Sequence, residues 1–300
     1  MGWNQWKQRI AGLGLLACSS VSLLTTAGII AMLVIGSWSF FASPEIELTS
    51  FLTDTAWTIG QTQGEIDYGI LPLLSGTLRI TVIGMVIALP LGLLSAIYLS
   101  EYASQRMRNV LKPALEILAG IPTVVLGFFA IAFVTPALQE WVLESFKTFN
   151  AASAGIAVGI LCLPLVNSLA EDALRAVPVS LREGSYGLGS TKFETTVKVV
   201  LPAALSGIVS AFLLAFARAI GETMVVALAA GSTPTFSADP RISSQTMTGY
   251  IVNTFQSDTV TPGTAAYDSV YAVAIVLFFI TLALTLFGNW VRGRFREVYQ

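Results

Sequence analysis

Four ionisable side chains interrupt stretches that are otherwise apolar: Arg79, Glu116, Arg218 and Glu222. The last two sit in Ala217-Arg218-Ala219-Ile220-Gly221-Glu222-Thr223. An arginine at mid-membrane costs roughly 2.5–3.5 kcal/mol on the lenient insertion scale, so such residues face a bundle interior or an aqueous path. A spacing of four predicts that Arg218 and Glu222 share one helix face and touch. A planar guanidinium binds a tetrahedral oxyanion through two parallel N–H bonds, which a lysine cannot do. In that chemistry Arg218 meets an anion as it crosses. Glu222 neutralises Arg218 between passages, so the anion is not held too tightly to leave. Gly221 lets a neighbouring backbone approach, and Thr223 completes the candidate pathway set. The other reading is an internal ion pair that only fixes packing. Glu116, near a span end, reaches the interface in either case.

The elements that position these residues must be membrane helices. Of 300 residues, 54% are hydrophobic and 11% charged, against about a quarter charged in soluble domains. Mean hydropathy is +0.74. A net charge of −2 argues against nucleic acid. The absence of histidine excludes His-based catalysis and most zinc sites. Cys18 and Cys162 fall in apolar runs and read as packing residues. No GxxxxGK[ST] phosphate loop is present, so the chain is expected to perform no chemistry and to bind no cofactor or metal.

Apolar runs of about 20 residues predict six spans: about Ile10–Phe41, Ile70–Leu99, Ala114–Val134 interrupted at Gly120-Ile121-Pro122, Ala154–Ala170, Ala203–Ala230 and Ser269–Trp290. The first is too long for a signal peptide and reads as a retained helix. Residues 1–69 form an N-terminal helix with an acidic outer segment, 70–292 the transmembrane domain, and 293–300 a tail. Twelve basic residues collect on one side: Lys7, Arg9, Arg106, Arg108, Lys112, Arg175, Arg182, Lys192, Lys198, Arg292, Arg294 and Arg296. The positive-inside rule therefore puts both termini and the 171–202 loop in the cytoplasm. Outside, 246–255 (TMTGYIVNTF) is the candidate for a short or re-entrant helix within a long Gly/Ser/Thr/Pro-rich segment.

One polar island, Glu183 to Pro202, stands among these runs. Ser180 with Glu183, and Thr191 with Glu194, have capping-box spacing, which predicts helices starting near Leu181 and after Thr191. Gly189 is placed to close the first. Tyr186, Gly189 and Phe193 form a small docking face, and Pro202 begins or kinks the next span.

The island resembles the EAA loop of ABC-importer permeases. Glu183-Gly184-Ser185, Gly189, Val199 and Leu201-Pro202 match it at every spacing, with Gly184 and Ser185 in place of two alanines. ARAIGET, IPTVVLGFFA at 121–130, GILPLLSGTL at 69–78 and TMTGYIVNTFQ narrow the resemblance to permeases of phosphate importers, of PstC type with the sister PstA type close behind. The resemblance implies an all-α type I ABC-importer (MetI-like) fold in the bacterial inner membrane. It implies a heterodimer with a PstA-like subunit, a PstB-like ATPase pair that binds ATP and Mg, and an outer PstS-like phosphate-binding protein. Arg218 and Glu222 then belong to the phosphate path. Glu183, Gly184, Ser185, Tyr186, Gly189, Leu201 and Pro202 belong to the ATPase-coupling element. The EAA pattern alone implies only an importer permease, which leaves molybdate, sulfate or phosphonate as cargo. A stand-alone anion channel or secondary transporter is the reading from a different class.

Overall fold

The computed structural model describes residues 2–44, 46–58, 67–257 and 260–294. Arg296 and most of residues 293–300 lie outside them. In chain order the helices are α1 (Gly2–Phe41), α2 (Leu48–Thr53), α3 (Leu71–Ile97), α4 (Gln105–Ala119), α5 (Thr123–Phe129), α6 (Thr135–Trp141), α7 (Ala151–Arg175), α8 (Val179–Gly187), α9 (Lys192–Thr195), α10 (Leu201–Ile220), α11 (Met224–Ala229), α12 (Met247–Phe255) and α13 (Ala265–Arg294). Among the described residues, six helical stretches are long and apolar enough to cross a membrane: Trp6–Phe41, Leu71–Tyr102, Thr123–Trp141, Ala151–Arg175, Lys192–Ile220 and Ala265–Val291.

The core is the seam between α3 and α7, and glycines make it. A Cβ on Gly159 would lie 2.8 Å from the Gly84 carbonyl oxygen, and one on Gly155 would lie 2.6 Å from Ile83 Cγ2. Backbones approach this closely only where small residues face each other, the usual device for membrane helices that have no hydrophobic drive between them. Asn167 ties the same pair of helices by donating to Ser95 Oγ at 2.6 Å. Gly159→Val is expected to destabilise the fold by more than about 3 kcal/mol, above ordinary overpacking, because the atom in the way is backbone. Gly28→Val, with nothing within 4 Å, should be neutral. Thermal unfolding of the two variants side by side checks this.

Three spans differ from the sequence expectation. The third does not begin at Ala114. Gly120 and Pro122 end one helix and start another, because proline drives its predecessor out of the α region. This leaves α4 as a separate amphipathic helix and carries the span on to Trp141. The fifth does not run to Ala230: α10 stops at Ile220, and α11 starts anew at Met224. The fourth span is longer than expected at both ends, so residue 171 lies inside α7 rather than in a loop.

Pro202 does not break its helix either. A wide turn at Thr196–Val200, in which the Leu201 N–H donates to the Thr196 carbonyl, comes immediately before the Leu201-Pro202 pair. Pro136 is preceded in the same way, the Thr135 N–H donating to Ala130 across the turn 130–134. A proline ring collides with the carbonyl four residues back, and the wider turn moves that carbonyl aside. The result is one continuous 29-residue helical stretch from Lys192 to Ile220.

The segment between α11 and α12 is pinned to α3. Arg79 donates to the Asp239 carbonyl and to Ser244 Oγ, both at 2.6 Å, which gives this residue a structural role in holding the segment before α12 against α3. Thr77 Oγ1 accepts from Met247 N–H at 3.0 Å. The Arg241 guanidinium holds the Asp239 carboxyl down at about 2, so this contact persists through the ordinary carboxylate range and is lost only as pH falls toward 2. The expected short helix at 246–255 is α12, capped by Thr246. An aromatic cluster of Phe40, Phe51, Trp57, Tyr68 and Tyr250 closes the same end. Helix α1 is largely exposed and joins the bundle at its last turns, where Gly36 accepts the Tyr271 ring and Ser37 Oγ donates to the Tyr271 carbonyl.

Candidate functional site: a charged cavity and an exposed helical hairpin

A cavity of about 790 Å³ lies between α4, α7 and α10. Arg218, Gly221 and Glu222 line one end, and Lys112, Glu116 and Glu171 also face it. Leu161, Pro164, Leu165 and Leu214 supply apolar wall. This is the size of a ligand pocket, and its few polar groups are concentrated as recognition requires.

The expected contact between Arg218 and Glu222 is absent. Helix α10 ends at Ile220, so Glu222 lies beyond the helix and the four-residue spacing no longer places the two side chains side by side. Three observations account for the break. Gly221 sits at φ −85, ψ 0, off the helical track. Glu222 Oε1 accepts from the Val225 N–H at 3.3 Å, which starts α11. Thr248 Oγ1 of α12 donates to the Glu222 carbonyl at 2.7 Å, taking a backbone group that a continuous helix would have used itself. Glu222 is buried at 8% exposure, while Arg218 is exposed to the cavity and its guanidinium has no hydrogen-bond or ion-pair partner among the described residues. Thr223 turns its hydroxyl to the Gly221 carbonyl at 3.2 Å and does not line the cavity.

Sequence reasoning missed both Asn167, which appears there only as part of the fourth apolar run, and Glu171, which appears only as the first residue of the 171–202 loop. Glu171 is fully buried and holds Arg175 Nη2 at 2.9 Å and Lys112 Nζ at 3.3 Å. The signal that could have found it is the Glu171/Arg175 spacing of four at the end of a long helix.

The polar island folds as a compact hairpin. Helix α8 starts directly behind Pro178, not at a capping box. Pro178 itself is the N-cap (φ −55, ψ 140), so Ser180 and Glu183 are already inside the helix. Its end is as the glycine predicts. Gly189 has φ +86, its N–H donates to Tyr186, and the Ser190 N–H donates to Ser185, the paired bonds of a Schellman motif. The Thr191–Glu194 capping box is complete. Ser185 and Thr195, both buried, share a hydrogen bond of 2.9 Å that clamps α8 to α9. Arg182 anchors the hairpin to the spans, with Glu101 Oε1 at 3.0 Å and the Leu174 carbonyl at 2.8 Å. Glu183, Gly184 and Gly189 are exposed, with Tyr186, Leu188 (90% exposed) and Phe193 forming an uncovered apolar face. Leu201 and Pro202 follow where α10 begins.

Residues 88–297 match the family described as the binding-protein-dependent transport system inner membrane component. The chain belongs to that family. It is therefore a permease subunit of an ABC importer and a multi-pass inner-membrane protein. The permease is 31% identical over 93% of its length to the probable ABC transporter permease protein YqgH of Bacillus subtilis, covering 88% of that protein. It is 29% identical over 93% of its length to the phosphate transport system permease protein PstC of Mesorhizobium japonicum, covering 88% of that chain. It is 32% identical over 75% of its length to PstA 1 of Mycobacterium tuberculosis, covering 70%. Its fold is that of the permease in the alginate ABC transporter complexed with its pentasaccharide-bound periplasmic protein (TM-score 0.69, 15% identity, 98% and 97% of the chains). It also matches that of the inward-facing MetNI methionine transporter (TM-score 0.57, 20% identity, 76% and 95%).

Proposed function

We propose that this permease forms one half of the translocation path of an ATP-driven inorganic phosphate importer, paired with a PstA-like subunit. A PstS-like protein delivers phosphate outside, and a PstB-like ATPase pair, which binds ATP and Mg, drives the cycle inside. The observation that carries the reading is an unpartnered arginine, Arg218, facing a charged cavity at a helix break. A guanidinium without a carboxylate partner is ready for a tetrahedral oxyanion. Relatives named for phosphate transport support the choice among oxyanions.

In this reading the α8–α9 hairpin docks in a groove of one ATPase through Tyr186, Leu188 and Phe193, with Glu183, Gly184 and Gly189 at the contact. The positive-inside distribution supports a cytoplasmic position for that hairpin. Motion of the ATPase passes along the continuous helix from Lys192 to Ile220, about 43 Å of rod at 1.5 Å per residue. Its far end carries Arg218, so a tilt of the rod moves the arginine relative to Glu222, which α12 holds in place. The two states then differ in anion affinity, which release requires. The chain itself performs no chemistry.

The test is uptake of labelled phosphate by the reconstituted permease pair, ATPase and binding protein. ATP-dependent uptake is expected. Uptake that persists without the ATPase would replace the reading with a channel or secondary transporter.

A further inference from the structure

Where α4 meets the end of α7, one carboxylate serves three cations. Glu171 is fully buried, with Arg175 Nη2 at 2.9 Å, Lys112 Nζ at 3.3 Å and Arg108 Nε at 3.9 Å. The cationic side chains are 41%, 35% and 23% exposed respectively. Arg108 already gives Nε and Nη2 to the Leu99 and Ser100 carbonyls, so Lys112 and Arg175 carry the donors open to a ligand and Arg108 adds mainly charge. The three cations face a second cavity of about 360 Å³, with Asn109 and Glu116 also on its wall. With Glu116 on the same wall, two negative charges stand against three positive ones, which leaves the cluster electropositive by one. Lys112 and Glu116 line this cavity and the larger one that holds Arg218. The two spaces therefore meet at Lys112.

We propose that Arg108, Lys112 and Arg175 form a second anion station on the hairpin side of the path. A free tetrahedral oxyanion leaving Arg218 is received there, and Glu171, buried behind the three cations, offsets part of their charge and so limits its stay. The inference rests on the pathway reading above, since it takes the transported anion as the ligand. An anionic lipid headgroup offers the same chemistry. The free anion is favoured because Lys112 and Glu171 both line the cavity of Arg218.

The complete complex carrying Asn109→Cys and Cys18→Ser, in phosphatidylcholine nanodiscs, is treated with an anionic thiol reagent. Inorganic phosphate is added at ionic strength held constant with chloride. Phosphate at ten times its dissociation constant should slow modification roughly tenfold. Adding Lys112→Gln and Arg175→Gln should abolish that protection. Labelled-phosphate uptake by the same complex separates the two readings. Uptake without protection overturns the station and leaves the phosphate path standing. If the complex transports sulfate or molybdate instead, and that anion protects, the station stands and the phosphate assignment falls. Protection only in phosphatidylglycerol nanodiscs, indifferent to added phosphate, overturns the station in favour of a lipid site.

Discussion

Arg218→Gln is expected to lower phosphate uptake by about two orders of magnitude in a complex that still assembles and hydrolyses ATP, taking nearly 3 kcal/mol for a charge-assisted contact to the anion. Glutamine keeps the length of the side chain and some hydrogen bonding but loses the charge and the fork. Folding should survive, because the guanidinium has no partner among the described residues for the substitution to break. That separates this residue from Arg79 and Arg182, whose bonds hold the segment before α12 and the hairpin in place. Arg218→Lys should recover little uptake, since a point charge cannot grip two oxygens in a plane. Paired uptake and ATPase rates decide the matter. Unchanged uptake in the glutamine variant would remove Arg218 from the path.

The second large effect is expected at the opposite end of the same rod. Tyr186→Ala combined with Leu188→Asp should release the ATPase from the permease while leaving the membrane bundle folded. Both side chains are exposed in the isolated chain, Leu188 at 90%, so neither contributes to its core. At an interface, an aromatic anchor of this kind is commonly worth 2 kcal/mol or more, roughly a thirtyfold change in affinity. Co-purification of the ATPase, with permease thermal stability measured in parallel, checks the prediction. Ser185→Ala should behave differently, because Ser185 is buried and bonds Thr195. Its loss loosens the hairpin itself.

Much of this architecture is legible in the sequence because bilayer thickness and polarity leave few choices. Six spans, one polar hairpin, Gly189 as its closing residue and the capping box at Thr191 all follow from local chemistry. What escaped depends on contacts between distant segments. The apolar run resumes directly after Gly221-Glu222-Thr223 and so reads as one span with a charge inside it, whereas the break there relies on Thr248, 26 residues away, holding the Glu222 carbonyl. Pro202 reads as a kink, yet a wide turn at Thr196–Val200 absorbs it and preserves the rod. The Ser180–Glu183 spacing suits a capping box, but Pro178 starts α8 two residues earlier. Arg79 has no legible role until Asp239 and Ser244 are brought to it. Glu171 is hidden for the same reason, since two of its three cations come from α4.

The most direct measurement is competition. The reconstituted complex takes up labelled phosphate while unlabelled phosphate, sulfate or molybdate is supplied in excess. The account predicts that only unlabelled phosphate suppresses the signal. Suppression by sulfate or molybdate at equal concentration, together with uptake of that anion when it carries the label, would contradict the assignment and leave an importer permease for another oxyanion.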